Sequence, residues 1–83
     1  MNNKRIGTVS IIVHSRTESA RRVNEIISEH GAIVIGRLGL PYGPRGLNII
    51  ALIVDGSTDE IGALTGKLGA LHEVEVKAAL AKV

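Results

Sequence analysis

Three consecutive stretches decide the fold: AIVIGRLGL (32–40), PYGPRG (41–46) and LNIIALIVD (47–55). The run from Ala32 to Leu40 is rich in β-branched residues, which suit the extended backbone, and it stops at Pro41. Leu47 to Asp55 has the same character. Pro41-Tyr-Gly-Pro-Arg-Gly46 is the part of the chain densest in Pro and Gly, so the two strands read as a hairpin closed by a loop of six residues, 41–46.

Both flanks of this hairpin carry helical patterns. On the N-terminal side Ala20, Val23, Ile27 and His30 recur at intervals of three and four, which places one stripe inward and leaves Arg21, Arg22, Glu25 and Glu29 to water. Ser15 and Glu18 have the spacing of a capping box at its start, and Gly31 is expected to end it in the left-handed conformation. On the C-terminal side Ser57 and Glu60 repeat the cap, Ile61, Leu64 and Leu68 form the stripe, and Gly69 is the expected stop. Outside the helices, Arg5 to His14 alternates with Val9, Ile11 and Val13 on one face. Val74, Val76, Ala78 and Leu80 alternate with Glu75 and Lys77.

The order is therefore β-α-β-β-α-β. This is an α+β, ferredoxin-like arrangement, in which a four-stranded antiparallel sheet carries two helices on one face. No linker divides the chain, so residues 1–83 read as one domain.

Such a sheet should be polar on its helix-free face if the protein is a monomer. Here Leu47, Ile49, Ala51 and Ile53 lie on one side of their strand while Ile50, Leu52 and Val54 lie on the other, and Ile33 and Ile35 oppose Val34, Leu38 and Leu40. Each exposed Ile or Leu forgoes roughly 1.5–3 kcal/mol of burial. A homo-oligomer, dimeric or higher, built through the helix-free face or a sheet edge is the expected consequence.

Composition narrows the chemistry. The 83 residues are 45% hydrophobic, with Tyr42 the lone aromatic, and they include no Cys, so disulfides, thiol nucleophiles and thiolate metal sites are excluded. The longest apolar run, Ile49 to Val54, is far short of the roughly 18 residues of a membrane span. Together with an N-terminus that lacks a signal-peptide core, it leads us to expect a cytoplasmic protein without membrane association. Residues 1–46 carry seven bases against three acids, whereas the remainder carries three against five; the basic half is compatible with an anionic ligand.

His14, His30 and His72 match no metal-ligand spacing, so no metal or other cofactor is expected, and His30 and His72 sit near helix ends where a cation suits the dipole. The glycines at 36, 39, 43 and 46 do not spell a dinucleotide loop, and Gly62 to Lys67 is followed by Leu68 where a phosphate-binding loop needs Ser or Thr. No nucleophile-base set or carboxylate pair is evident, so an enzyme is not expected. Lys4 to Ser10 resembles the DNA-reading strand of ribbon-helix-helix repressors, but two helices do not follow it directly. An RNA-binding sheet would need stacking aromatics, so direct nucleic-acid binding is not expected either.

Several strings resemble the small regulators associated with the iron-only hydrogenase system, a family with an ACT-like fold: Val23-Asn-Glu-Ile-Ile27, Ile35-Gly-Arg-Leu-Gly-Leu-Pro-Tyr42, Arg45-Gly46, Leu52-Ile-Val-Asp-Gly-Ser-Thr-Asp-Glu-Ile61, Ala63-Leu-Thr-Gly-Lys-Leu-Gly69 and Val76-Lys-Ala78. The resemblance spans nearly the whole chain. It implies a regulatory, oligomeric, effector-binding module, since ACT-like domains commonly pair and bind small effectors, often amino acids, at the interface. For such an effector the candidate residues are His14, Ser15 and Arg16, where the turn into the first helix presents free backbone N–H groups to an anion. Arg37, Tyr42 and Arg45, the polar groups around the hairpin, are a second set. The competing expectation is an interaction module that docks on a maturation enzyme or a separate DNA-binding partner without any small effector.

Overall fold

The computed structural model of the chain describes residues 4–14 and 18–83. Alternation of apolar and polar residues sets strand β1 at Lys4–Val13, β2 at Val34–Tyr42, β3 at Leu47–Ser57 and β4 at Val74–Ala81, with helices α1 at Glu18–Glu29 and α2 at Thr58–Gly69. The four strands form one antiparallel sheet in the order β2-β3-β1-β4, the ferredoxin-like order. β1 and β3 are central because the two helical crossovers carry the chain over one face, leaving β2 and β4 at the edges.

The core is aliphatic and lies between that face and the helices. Val9, Ile11 and Val13 from β1 and Ile50, Leu52 and Val54 from β3 meet Val23, Ile26 and Ile27 from α1 and Ile61, Leu64 and Leu68 from α2, all buried. Side chains of this kind contribute roughly 1.5–3 kcal/mol each on burial. The inward stripe of α1 differs from expectation in including Ile26, whereas His30 is only half-buried. An apolar face wider than a strict three-and-four repeat is what a helix crossing a sheet requires.

Several boundaries move for local reasons. β2 runs through Pro41 and Tyr42, so the hairpin loop is four residues long: Gly43–Arg45 form a 3-10 turn and Gly46 completes it with φ +63. Pro41 is tolerated because β2 is an edge strand. Between Val34 and Gly36 the pairing with β3 shifts register, and Ile35 becomes 62% exposed.

The expected left-handed glycine stops do not occur. α1 ends with His30 N–H donating to the Ile26 carbonyl at 3.1 Å, and Gly31 opens a 3-10 turn, Gly31–Ile33, closed by Ile33 N–H donating to the His30 carbonyl at 3.2 Å. Gly69 is itself the last residue of α2, capped by Ala70 in the right-handed region, and the left-handed residue is Glu73 at φ +61. The cap at the start of α2 is as expected: Glu60 N–H donates to Ser57 Oγ at 3.0 Å and Ser57 N–H donates to Glu60 Oε1 at 2.8 Å. The Ser15–Glu18 cap of α1 involves Ser15, which lies outside the described residues.

Candidate functional site

The end of the sheet where β1 passes into α1 gathers polar groups from three segments. His14 follows β1, and its backbone N–H donates to the Glu73 carbonyl at 2.8 Å. Its Nε2 lies 2.6 Å from Glu75 Oε2 on β4, both side chains pointing to the helix-free face. Nearby the first turn of α1 is tied to the connection between α2 and β4, since Ser19 Oγ donates to the His72 carbonyl at 2.9 Å. That connection is held in shape by the left-handed Glu73, a conformation that costs a non-glycine residue roughly 1–2 kcal/mol.

Between α1 and this connection lies an open groove of about 350 Å³. Glu18, Ser19, Arg21, Arg22 and Glu25 form its helical wall, and Leu71 and His72 the other. Its volume is at the lower end of ligand pockets, so it suits a small molecule. Both charge signs line it. Arg21 Nη2 donates to both carboxylate oxygens of Glu18 at 2.7 Å, and Arg22 Nη1 lies 3.2 Å from Glu25 and 3.4 Å from Glu29. These pairs are exposed, so each is worth little on its own. The hydrogen bond from Arg21, then its charge, holds the Glu18 carboxyl below the usual carboxylate range.

Of the candidates read from the sequence, His14 lies at this end of the sheet, while Ser15 and Arg16 lie outside the described residues. Arg37, Tyr42 and Arg45 are not gathered into one site. Arg37 shares the helix-side face of β2 with Leu52 across the pairing and donates to Asn24 Oδ1 on α1. Tyr42 pairs with Leu47 and sits on the opposite, helix-free face, and Arg45 is exposed in the turn. Sequence reasoning missed Ser19, Leu71, His72 and Glu75 as site residues, and it gave Arg21, Arg22 and Glu25 to water and Glu18 to a cap rather than to the groove they line. Ser19 contacts His72 across 53 residues of chain and His14 meets Glu75 across 61, so no local spacing announces them.

His30, at the end of α1, has a buried Nε2 without a hydrogen-bond partner. Among the described residues no three His, Asp or Glu side chains converge as a metal-binding group, and no helix is long and apolar enough to cross a membrane.

A family model, TM1266-like, described as "Iron-only hydrogenase system regulator, putative", matches residues 5–78. The structure of the uncharacterized protein TM1266 from Thermotoga maritima superposes with a TM-score of 0.91 at 35% identity, covering 95% of this chain and 99% of that one. The ACT domain of the GTP pyrophosphokinase of Chlorobium tepidum superposes with a TM-score of 0.75 at 15% identity, over 92% of this chain and 99% of that one. For the C-terminal domain of the MgtC protein of Mycobacterium tuberculosis the score is 0.71 at 13% identity, over 98% and 92%. At these lower identities the likeness is one of fold. No curated protein matches the sequence.

Proposed function

The chain belongs to the TM1266-like family of iron-only hydrogenase system regulators, and from that premise we propose that it is an oligomeric ACT-like module that regulates by binding a small effector. It acts in the cytoplasm by binding, not by catalysis. The observation that carries the reading is the groove at the start of α1, small and lined by both arginines and glutamates. A free amino acid, with one carboxylate and one ammonium group, matches that mixture: its carboxylate would displace a glutamate from Arg21 or Arg22, and its ammonium would take up the glutamate released. Because the existing ion pairs are exposed, exchanging partners costs little. Regulation then follows if the effector binds one assembly state more tightly than another, since only differential affinity shifts an equilibrium.

Isothermal titration of the amino acids and of hydrogenase-cluster precursors against the wild type, Arg16→Ala and Arg21→Ala tests this. The expected result is heat with at least one compound, lost or strongly reduced in Arg21→Ala. Heats indistinguishable between wild type and both variants would remove the site. No heat with any compound would overturn effector binding and favour the docking module instead.

A further inference from the structure

We propose that Glu18 is the specificity-determining residue of the groove beside α1, admitting small molecules that carry an ammonium group with their carboxylate and turning away plain carboxylates; this rests on the effector reading above and says what selects the effector. The charges of the groove belong to a chain of alternating sign along α1. Lys67 Nζ on α2 lies 3.6 Å from Glu29, and Arg22 lies 3.4 Å from Glu29 and 3.2 Å from Glu25. Arg21 lies 4.0 Å from Glu25 and 2.7 Å from Glu18. Glu29, Arg22, Glu25 and Arg21 each have a neighbour of opposite sign on both sides. Glu18 ends the chain, and among the described residues Arg21 is the one cation that meets it.

That arrangement makes the two arginines unequal. Arg22 is held between two carboxylates, whereas Arg21 gives its Nη2 to Glu18 and has Glu25 only at 4.0 Å. Arg21 is therefore the donor that a ligand carboxylate takes over, by displacing Glu18. A glutamate carboxyl is ionised at neutral pH, so the displaced Glu18 stands as an unpaired negative charge beside the negative charge of the ligand. An ammonium group on the same ligand removes that repulsion by taking the place Arg21 held. A plain carboxylate has nothing to offer it. Selectivity then comes from a repulsive element against the wrong ligand, not from an added attraction to the right one. The opposite wall, Leu71 and His72, carries no carboxylate, which leaves the discrimination to α1. Glu18 and Glu25 also balance Arg21 and Arg22 in the groove, so no net positive charge gathers anions there.

Glycine, alanine and valine, each beside the acid that lacks its amino group (acetate, propionate, isovalerate), test this when titrated into isotope-labelled protein with the amide NMR shifts of Ser19, Leu71 and His72 as the readout. In the wild type at least one amino acid is expected to bind roughly fivefold more tightly than its plain acid, the upper end of what an exposed charge pair contributes. In Glu18→Gln that ratio is expected to fall to about one, through tighter binding of the plain acid. Glu29→Gln removes the same charge from the same helix outside the groove wall, and it is expected to keep the wild-type ratio. Circular dichroism checks that both variants fold. A plain acid that binds the wild type as tightly as its amino acid, a ratio unchanged in Glu18→Gln, or a ratio lowered as far in Glu29→Gln would overturn the role of Glu18 and leave the groove a binding site. Shifts with neither class of ligand in any of the three proteins would overturn the groove reading and this inference with it.

Discussion

Ser57 and Glu60 work as a reciprocal pair, and a pH dependence follows from it. The Ser57 backbone N–H, then its hydroxyl, hydrogen-bond to the Glu60 carboxylate and hold that carboxyl below the usual carboxylate range. A carboxyl whose pKa is depressed by folding contributes stability that is fully present above its unfolded value and is lost as pH falls through the folded value. Urea midpoints should therefore fall as pH drops from about 4.3 downward, and less steeply in Glu60→Gln. Ser57→Ala should lower stability by about 1 kcal/mol at neutral pH. Identical slopes for wild type and Glu60→Gln would mean that this carboxylate makes no contribution. A second residue offers the opposite sign: Glu73 is left-handed, and Glu73→Gly should raise stability by up to about 1 kcal/mol in the same measurement. The first pair was legible in the sequence because a capping box is a local spacing. Glu73 was not, because its φ is imposed by the span from α2 to β4 and the His14 bond to its carbonyl, neither of which a local spacing encodes.

For the elements, glycine is the residue type whose role depends most on place. Gly7 on β1 sits where a Cβ would run into the Ala79 carbonyl and approach Leu80 Cδ2 at 2.5 Å on β4. Gly7→Ala should thus loosen the β1–β4 pairing and cost about 1–3 kcal/mol, as overpacking does. Gly62 on α2 has nothing within 4 Å of such a Cβ, so Gly62→Ala should stabilise the helix by about 0.5–1 kcal/mol. Thermal unfolding of the two variants checks both signs; a stabilised Gly7→Ala would refute the packing argument. The order of strands and helices could be read from periodicity alone, as the stripe Ile61, Leu64, Leu68 illustrates. The shift of register between Val34 and Gly36 could not, because a bulge is set by the partner strand. That shift leaves Ile35 exposed, although alternation alone would group it with the buried Ile33.

In the molecule as a whole, the apolar excess divides between two places. One part fills the core between sheet and helices; the other, Leu38, Leu40, Tyr42 and Ile53, remains exposed on the helix-free face near the β2 edge. The second part was legible in outline, since both faces of Leu47 to Val54 are apolar, but the groove beside α1 was not, being assembled from segments far apart in the chain. If the exposed part is an interface, folding and association are linked, and stability must depend on protein concentration. For a dimer each tenfold increase in concentration adds roughly 1.4 kcal/mol of apparent stability per dimer, which for two small domains unfolding together is a rise in Tm of about 4 °C. Calorimetry of the wild type over a hundredfold range of concentration should show that rise, and Leu38→Asp, which puts a carboxylate into the exposed apolar patch, should show a flat Tm. A flat Tm in the wild type, with light scattering at the mass of one chain, would mean that the protein tolerates the patch exposed and that its regulation does not run through self-association.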